Sequence, residues 1–111
     1  MNYIAQIREA AELIRESAHC YCLTGAGMST ESGIPDFRSP GGLWQEIAPI
    51  KTSSAEVLYN NPRVFYEVAF TRFARITRAE PNAGHSSLAR LEQMGYLKGL
   101  VTQNIDGLHV K

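Results

Sequence analysis

Two short apolar runs, each followed at once by small or polar residues, constrain the fold of this 111-residue chain most. The first run, "HCYCLT", leads into "GAGMST", and the second, within "LKGLVTQNID", ends in a polar group. Helical patterns come before and between the two runs. This order is typical of a parallel α/β sheet, in which ligands bind beyond the carboxyl ends of the strands. We therefore expect the two polar segments to meet at one crevice.

Four helices are predicted from apolar spacing and capping residues. The first, in "NYIAQIREAAELIRESA", has Asn2 as its N-cap and an apolar face that should lean on a core. A short helix follows in "TSSAEVLYNN". The third has Asn61 as N-cap and Pro62 at its first position, and the fourth, in "PNAGHSSLARLEQMGYL", is closed by Gly95. From Gly25 to about Ile50 no period is sustained, and a long irregular segment of this kind is typically functional or disordered.

Composition places the chain among globular proteins and limits it to one small domain. Apolar residues make up 44% and aromatic residues 9%, and eleven basic residues balance eleven acidic ones. Without a basic block, binding to nucleic acid or to a membrane surface through bulk charge is not expected. No apolar run is long enough to span a bilayer, and no signal peptide opens the sequence, so a cytoplasmic protein is expected.

The two cysteines, Cys20 and Cys22, lie two positions apart in the first predicted strand and should face the same side. Free cysteine is among the most buried residue types, which favours an ordinary core role. Half of a zinc site is the alternative, but a C-x-C pair without a second pair is weak support for one.

The loop after the first strand has the chemistry of a phosphate site. Gly25 and Gly27 are expected to take positive φ and to allow close backbone approach, and Ser29, Thr30 and Ser32 offer hydroxyl groups. A phosphate or pyrophosphate would suit these groups, together with the free N–H groups of a following helical turn. A strand-to-helix turn without a ligand is the equal alternative. The dinucleotide fingerprint G-x-G-x-x-G fails because Thr30 stands at its third glycine position, and no P-loop lysine follows.

Two further segments carry candidate ligand groups. In "GIPDFR", Phe37 offers a flat apolar face and Arg38 a charged fork for a carboxylate or phosphate, although Asp36 and Arg38 could simply pair at the surface. In "TQNID", the amides and the carboxylate suit ribose hydroxyls and a carboxamide. The alternative is a capping cluster before a helix.

The segments "TGAGMSTESGIPDFR", "PNAGHSSLARLE" and "TQNIDGLH" together resemble the signatures of the sirtuins, the NAD-dependent protein-lysine deacylases. The resemblance runs in order from about Cys20 to His109. It implies a Rossmann-like parallel-sheet domain that binds NAD and, elsewhere in the whole protein, a small zinc-bearing module. Residues 1–111 would be the amino-terminal portion of that domain, incomplete without its later strands.

The resemblance also implies three groups of site residues. Those that line the pyrophosphate and adenosine side of NAD are Gly25, Ala26, Gly27 and Ser29. Those on a flexible loop that closes over the cofactor are Asp36, Phe37 and Arg38, with Phe37 near the nicotinamide. Those that hold the nicotinamide ribose and the carboxamide pocket are Gln103, Asn104 and Asp106, of which Asn104 and Asp106 would support catalysis.

By the same resemblance the reaction is lysine deacetylation, and the partner is an acetyl-lysine protein or peptide. The acyl oxygen would displace nicotinamide at the ribose, and hydrolysis of the resulting imidate would release lysine and O-acetyl-ADP-ribose. Family members that prefer acidic acyl groups carry a Tyr-x-x-Arg pair in the helix before "PN". Here Tyr66 is followed three positions later by Ala69, which favours an uncharged acyl group such as acetyl.

Two expected parts of a sirtuin are missing from the sequence. The family's catalytic base is a histidine downstream of "TQNID", and neither His19, His85 nor His109 stands in its place. The four zinc cysteines are absent as well, so zinc is expected only outside these residues. The expectation is therefore an amino-terminal fragment that is inactive alone, or nearly so.

Three rival functions remain. One is a non-catalytic module that binds NAD or ADP-ribose. Another is a Rossmann dehydrogenase, for which Glu46 lies about where a ribose-binding acid would fall; "PDFR" and "TQNID" disfavour it. Mono-ADP-ribosyl transfer is the third, since the same activated ribose could meet another nucleophile.

Overall fold

The computed structural model describes residues 2–42 and 53–111 of the chain. Their elements follow the predicted order, with a 3-10 helix after the first strand. In chain order they are α1 (Tyr3–Glu16), β1 (Cys20–Thr24), the 3-10 helix (Ala26–Ser32), α2 (Ala55–Asn60), α3 (Pro62–Arg78), α4 (Ala83–Gln93) and β2 (Leu97–Thr102).

The two strands pair in parallel, which confirms the predicted α/β class. The register runs from Cys20 opposite Leu97 to Thr24 opposite Thr102, with one irregularity after Cys20. Gly99 allows this pairing because the Tyr21 ring lies where a side chain would be, 3.0 Å from the position of an added Cβ. The polar segments that follow the two strands therefore begin side by side.

Capping residues start the helices where the sequence predicts. The side chains of Asn2, Ser54 and Asn61 each accept a hydrogen bond from a backbone N–H in the first turn of their helices. Pro62 fills the first position of α3, where its missing N–H costs nothing. Beyond the end of α4, Gly95 takes a φ of 82°, the left-handed conformation that closes many helices.

The predicted core is much smaller in the structure. Among the described residues the buried apolar side chains are those of Ala79, Leu97 and Leu108. Helix α1 contributes no buried residue, so the expectation that it leans on a core was wrong for these residues. Tyr21 and Leu23 in β1 are each 67% exposed because one strand partner cannot cover both faces of β1. Cys20 and Cys22 are free thiols and only half-buried, so they do not have the full burial expected of core residues.

The segment after β1 is more regular than expected. Residues Ala26–Ser32 form a 3-10 helix that ends at Gly33, whose φ is 85°. The prediction that Gly25 and Gly27 take positive φ was wrong. Gly25 is extended, with a φ of −137°, and Gly27 lies within the helical turns, which need only ordinary negative φ. The later part of the predicted irregular segment, including Glu46, lies outside the described residues.

In residues 2–42 and 53–111, no helix is both long enough and apolar enough to cross a membrane.

Candidate functional site

Hydrogen bonds join the ends of the two strands. The backbone N–H of Gln103 donates to the carbonyl of Thr24 at 3.0 Å, one step beyond the last strand residue. The buried Thr24 hydroxyl donates to the hydroxyl of Thr102 at 2.8 Å. These bonds hold the start of "TQNID" beside the start of the 3-10 helix.

A contact between Ser29 and Asp106 closes the crevice. The Ser29 hydroxyl donates to Asp106 Oδ2 at 2.5 Å, and the Ser29 side chain is 1% exposed. The other carboxylate oxygen of Asp106 accepts from the backbone N–H of Leu108 at 3.0 Å. Hydrogen bonds to an ionised carboxylate are short and strong. The charged end of "TQNID" is thus fixed against the serine of the first loop.

Asn104 makes a second bridge between the two segments. Its side-chain Nδ2 donates to the carbonyl oxygen of Gly25 at 2.9 Å, and its backbone N–H donates to Thr102 Oγ1 at 3.1 Å. The predicted meeting of the two strand ends is confirmed by these contacts and by the Ser29–Asp106 bond.

The two strand ends, joined by the Ser29–Asp106 and Asn104–Gly25 hydrogen bonds, form a junction. A cavity of about 190 Å³ opens at this junction. It is smaller than the roughly 300–1,000 Å³ usual for whole ligand pockets, so it suits one part of a larger ligand. Six of its twelve lining residues are apolar, and the other six bring one hydroxyl, two amides, one carboxylate and two guanidinium groups. The lining residues are Ala26, Ser29, Ile34, Pro35, Phe37, Arg72, Arg75, Ile76, Gln103, Asn104, Ile105 and Asp106.

The loop after the 3-10 helix reaches this cavity through Phe37. The Arg72 guanidinium carbon lies 4.9 Å from the centre of the Phe37 ring, a cation–π contact that joins the loop to α3. Asp36 accepts hydrogen bonds from the backbone N–H and the hydroxyl of Ser39, which folds the loop into a tight turn. Asp36 and the exposed Arg38 are not part of the cavity lining.

Two histidines in ring contact lie next to the end of β1. His85 is 4% exposed, and its Nδ1 accepts the backbone N–H of Asn82 at 3.1 Å. The ring of His109 lies 4.8 Å from that of His85, and its Nε2 is 2.8 Å from the Thr24 hydroxyl. Burial lowers the pKa of His85 below the ordinary histidine value; the charge of His109 lowers it further, and Asp106 opposes the shift. A neutral His85 fits its role as hydrogen-bond acceptor.

Comparison with known proteins identifies the family. The model of the Sir2 family matches residues 25–111, which contain all of the contacts above except those of the strand β1. The chain belongs to the Sir2 family. It is 51% identical over 105 residues to NAD-dependent protein deacetylase 2 of Caldanaerobacter subterraneus subsp. tengcongensis, and 43% identical over 109 residues to the NAD-dependent protein deacetylase of Sulfolobus acidocaldarius.

Solved structures of Sir2 proteins have the same fold over this region. A Sir2 variant with deacetylated p53 peptide and 3′-O-acetyl-ADP-ribose matches at a TM-score of 0.86 and 39% identity, over 94% of this chain and 42% of that one. A mutant Sir2 homologue in complex with ADP-ribose matches at 0.83 and 37% identity, over 89% and 41%.

The chain spans about two-fifths of the length of its relatives. The alignment with the Caldanaerobacter protein covers 94% of this chain and 42% of the relative, and that with the Sulfolobus protein covers 98% and 43%. What those proteins do as a whole is therefore a matter of proposal for this chain.

The site residues of the Sir2 resemblance are only partly brought together. Of the residues that the resemblance assigns to the site, those that line the cavity are Ala26, Ser29, Phe37, Gln103, Asn104 and Asp106. Positions of an added Cβ on Gly25 and Gly27 have no atom within 4 Å, so both glycines border open space. Tyr66 and Ala69 lie on α3 outside the lining, and the acyl pocket assigned to them stays a prediction.

Sequence reasoning missed the contribution of α3 to the cavity. Arg72, Arg75 and Ile76 line it, and their spacing of three and four residues puts them on one side of the helix. That spacing is visible in the sequence, but nothing in the sequence marks this side of α3 as facing a ligand. Ile34 and Ile105, also missed, carry no signal beyond their nearness to "GIPDFR" and "TQNID".

The described residues do not fit the zinc ion that the sequence resemblance implies for the whole protein. No three His, Cys, Asp or Glu side chains within them are grouped as a metal site requires. They do fit part of a nucleotide, because a carboxylate and two amides converge beside open glycine backbone.

Proposed function

We propose that this protein takes part in NAD-dependent removal of acetyl groups from protein lysine side chains, and that residues 25–38 and 103–106 form its NAD-binding side. Membership of the Sir2 family supports the proposal, as do relatives named NAD-dependent protein deacetylases. The observation that carries it is the hydrogen-bonded junction of Ser29 with Asp106 and of Asn104 with Gly25 at the carboxyl ends of two parallel strands.

Each part of the junction suits a different part of NAD. The backbone of Gly25 and of Gly27 borders open space, which leaves room for a pyrophosphate. Gln103, Asn104 and Asp106 would together hold the nicotinamide ribose and the carboxamide. Phe37, at the cavity wall, would cover the nicotinamide ring. When bound, NAD supplies a ribose whose bond to nicotinamide can be exchanged for a bond to an acyl oxygen.

The fixed polar groups suit a reaction in which positive charge develops at the ribose better than they suit hydride transfer. Asp106 is oriented by two donors, and its carboxylate would face the positive charge that develops at the ribose. The Asn104 amide is fixed by its own bond to Gly25, so it needs no rearrangement as the reaction proceeds.

None of the three histidines is placed to act as the base of this reaction. His85 is buried and completes the cap of α4, His109 is engaged with Thr24, and His19 is exposed at the other end of β1. We therefore expect residues 1–111 alone to bind NAD but to release nicotinamide slowly, if at all.

The test joins this chain to the remaining three-fifths of its Caldanaerobacter relative, in place of the matched segment. Nicotinamide and deacetylated peptide are measured by mass spectrometry after incubation with NAD and an acetyl-lysine peptide. The proposal predicts peptide-dependent release of nicotinamide by the chimera, lowered at least tenfold by Asp106→Asn. Glu56→Gln, a change of an exposed acid in α2, is the control and should have no effect.

Other outcomes favour the rival functions. A folded chimera that binds NAD but releases no nicotinamide would indicate a nucleotide-binding module. Release without deacetylation, with ADP-ribose attached to protein, would indicate ADP-ribosyl transfer. An absorbance change at the reduced nicotinamide band would indicate a dehydrogenase.

A further inference from the structure

Asn82, the N-cap of α4, makes hydrogen bonds both within α4 and to the 3-10 helix. Its Oδ1 accepts the backbone N–H groups of Gly84 and His85 at 2.9 and 3.4 Å, which is the ordinary work of a helix cap. The His85 ring accepts the Asn82 N–H in return and completes a capping box. These bonds fix the rotamer of the Asn82 side chain.

The other half of the same amide points away from α4. Its Nδ2 donates to the carbonyl oxygen of Met28 at 2.8 Å and to the hydroxyl of Ser32 at 3.0 Å. Both acceptors belong to the 3-10 helix, 54 and 50 residues away along the chain. Both hydrogens of the amide are therefore used on one segment, at its third and last residues.

Close packing accompanies these bonds. A Cβ added to Gly84 would lie 2.6 Å from Met28 Cε and 3.0 Å from Asn82 Oδ1, so the 3-10 helix rests directly on the first turn of α4. Between the two Asn82 acceptors stands Ser29, which bonds to Asp106.

We propose that Asn82 is a positioning residue, which holds the 3-10 helix in the place where Ser29 and the Gly25–Gly27 backbone meet the nucleotide. The inference rests on the proposed function for the identity of the ligand, whereas the hydrogen bonds from Asn82 to the 3-10 helix are a property of the fold. Asn82 does not touch the cavity and acts only through the 3-10 helix.

The test replaces Asn82 by serine. Serine caps helices as well as asparagine does, so α4 should keep its start, and the change adds no charge near the nucleotide. The shorter side chain cannot reach Met28 and Ser32. Asn61→Ser is the matched control, because the Asn61 side chain caps α3 by accepting a hydrogen bond from the backbone N–H of Val64.

Two measurements are compared for the wild type and both variants. Hydrogen exchange by NMR follows the amides of Met28, Gly33 and Ile34, whose N–H groups bond within or beside the 3-10 helix. Calorimetry follows the binding of ADP-ribose. Asn82→Ser should speed exchange of these amides about tenfold and weaken ADP-ribose binding about tenfold, as expected for two lost hydrogen bonds, while Asn61→Ser changes neither.

The outcomes separate this inference from the proposed function. Absence of ADP-ribose binding by the wild-type protein would count against the proposed function. The exchange data would still test whether Asn82 stabilises the position of the 3-10 helix. Unchanged exchange in Asn82→Ser, or faster exchange with unchanged affinity, would overturn the inference. Should Asn82→Ser not fold, Ser32→Ala removes one of the two acceptors and should change both readouts in the same direction by about threefold.

Discussion

Three of the six buried side chains among the described residues are polar and lie at the junction of the two strand ends. Ser29 is 1% exposed, His85 4% and Thr24 7%, whereas large apolar side chains on α1 and β1 are exposed. Buried polar groups need hydrogen-bond partners, and the structure gives Ser29 and Thr24 theirs at the junction. The residues that fix this part of the fold are therefore the same residues that form its site.

The first prediction concerns the Ser29 hydroxyl. Ser29→Ala removes the donor to Asp106 and leaves that carboxylate with a backbone partner only. The free energy of unfolding in urea should fall by about 2 kcal/mol, the usual contribution of a hydrogen bond to a charged group. Ser86→Ala, at an exposed position of α4, should change it by less than about 0.5 kcal/mol. Equal effects of the two substitutions would contradict the role given to Ser29.

The second prediction concerns acidity and His85. Burial, with the charge of His109, holds the pKa of His85 below its value of about 6.5 in the unfolded chain. Between those two values the unfolded chain binds more protons, so stability rises with pH there. As the pH falls below about 6.5, the urea midpoint should drop, and it should level off below the folded-state pKa.

His85→Gln tests this assignment. Glutamine at this third position can still complete the capping box, but it does not titrate. The variant should therefore lose the part of the pH dependence that lies below about pH 6.5. If the full slope persisted in His85→Gln, another group would have to be responsible for it.

At the scale of elements, the ends of α4 decide how β2 enters the sheet. Gly95 turns the chain with a φ of 82°, and the backbone N–H of Tyr96 then returns to the carbonyl of Leu91 at 3.0 Å. This closure precedes Leu97, the first residue of β2 and one of the few buried apolar residues.

The third prediction is that Gly95→Ala destabilises the protein. A side chain in the left-handed region costs about 1 kcal/mol, which should appear as a lower thermal midpoint. Gly27→Ala is the contrasting case, since Gly27 has no positive φ and open space where the methyl group would lie. It should leave the protein at least as stable as the wild type. A larger loss of stability for Gly27→Ala than for Gly95→Ala would contradict the backbone assignment of both glycines.

For the whole molecule, the described residues form an open arrangement around the junction. The radius of gyration is 17.4 Å, against about 13 Å for a compact domain of this length. The faces of the two-stranded sheet are only partly covered by other elements, and Tyr21, Leu23 and Val101 are therefore exposed. The hydrogen-bonded junction, rather than a large apolar core, ties β1, the 3-10 helix, α4 and β2 together.

The order of elements, the parallel pairing and the meeting of the strand ends could be predicted from the sequence. Each depends on local signals: Asn61 before Pro62, Gly95 after an apolar period, and polar residues directly after an apolar run. Three features could not be predicted in this way. The backbone of Gly25 and Gly27, the place of Arg72 at the cavity and the bridge made by Asn82 depend on contacts between segments distant in the chain.

The central claim is that the two strand ends form one nucleotide site, and calorimetric titration of ADP-ribose into the wild-type protein and Ser29→Ala tests it most directly. The account predicts saturable binding at a single site by the wild type and at least tenfold weaker binding by Ser29→Ala, with Ser86→Ala unchanged. Absence of saturable binding by the folded wild-type protein, or equal affinity in Ser29→Ala, would contradict it.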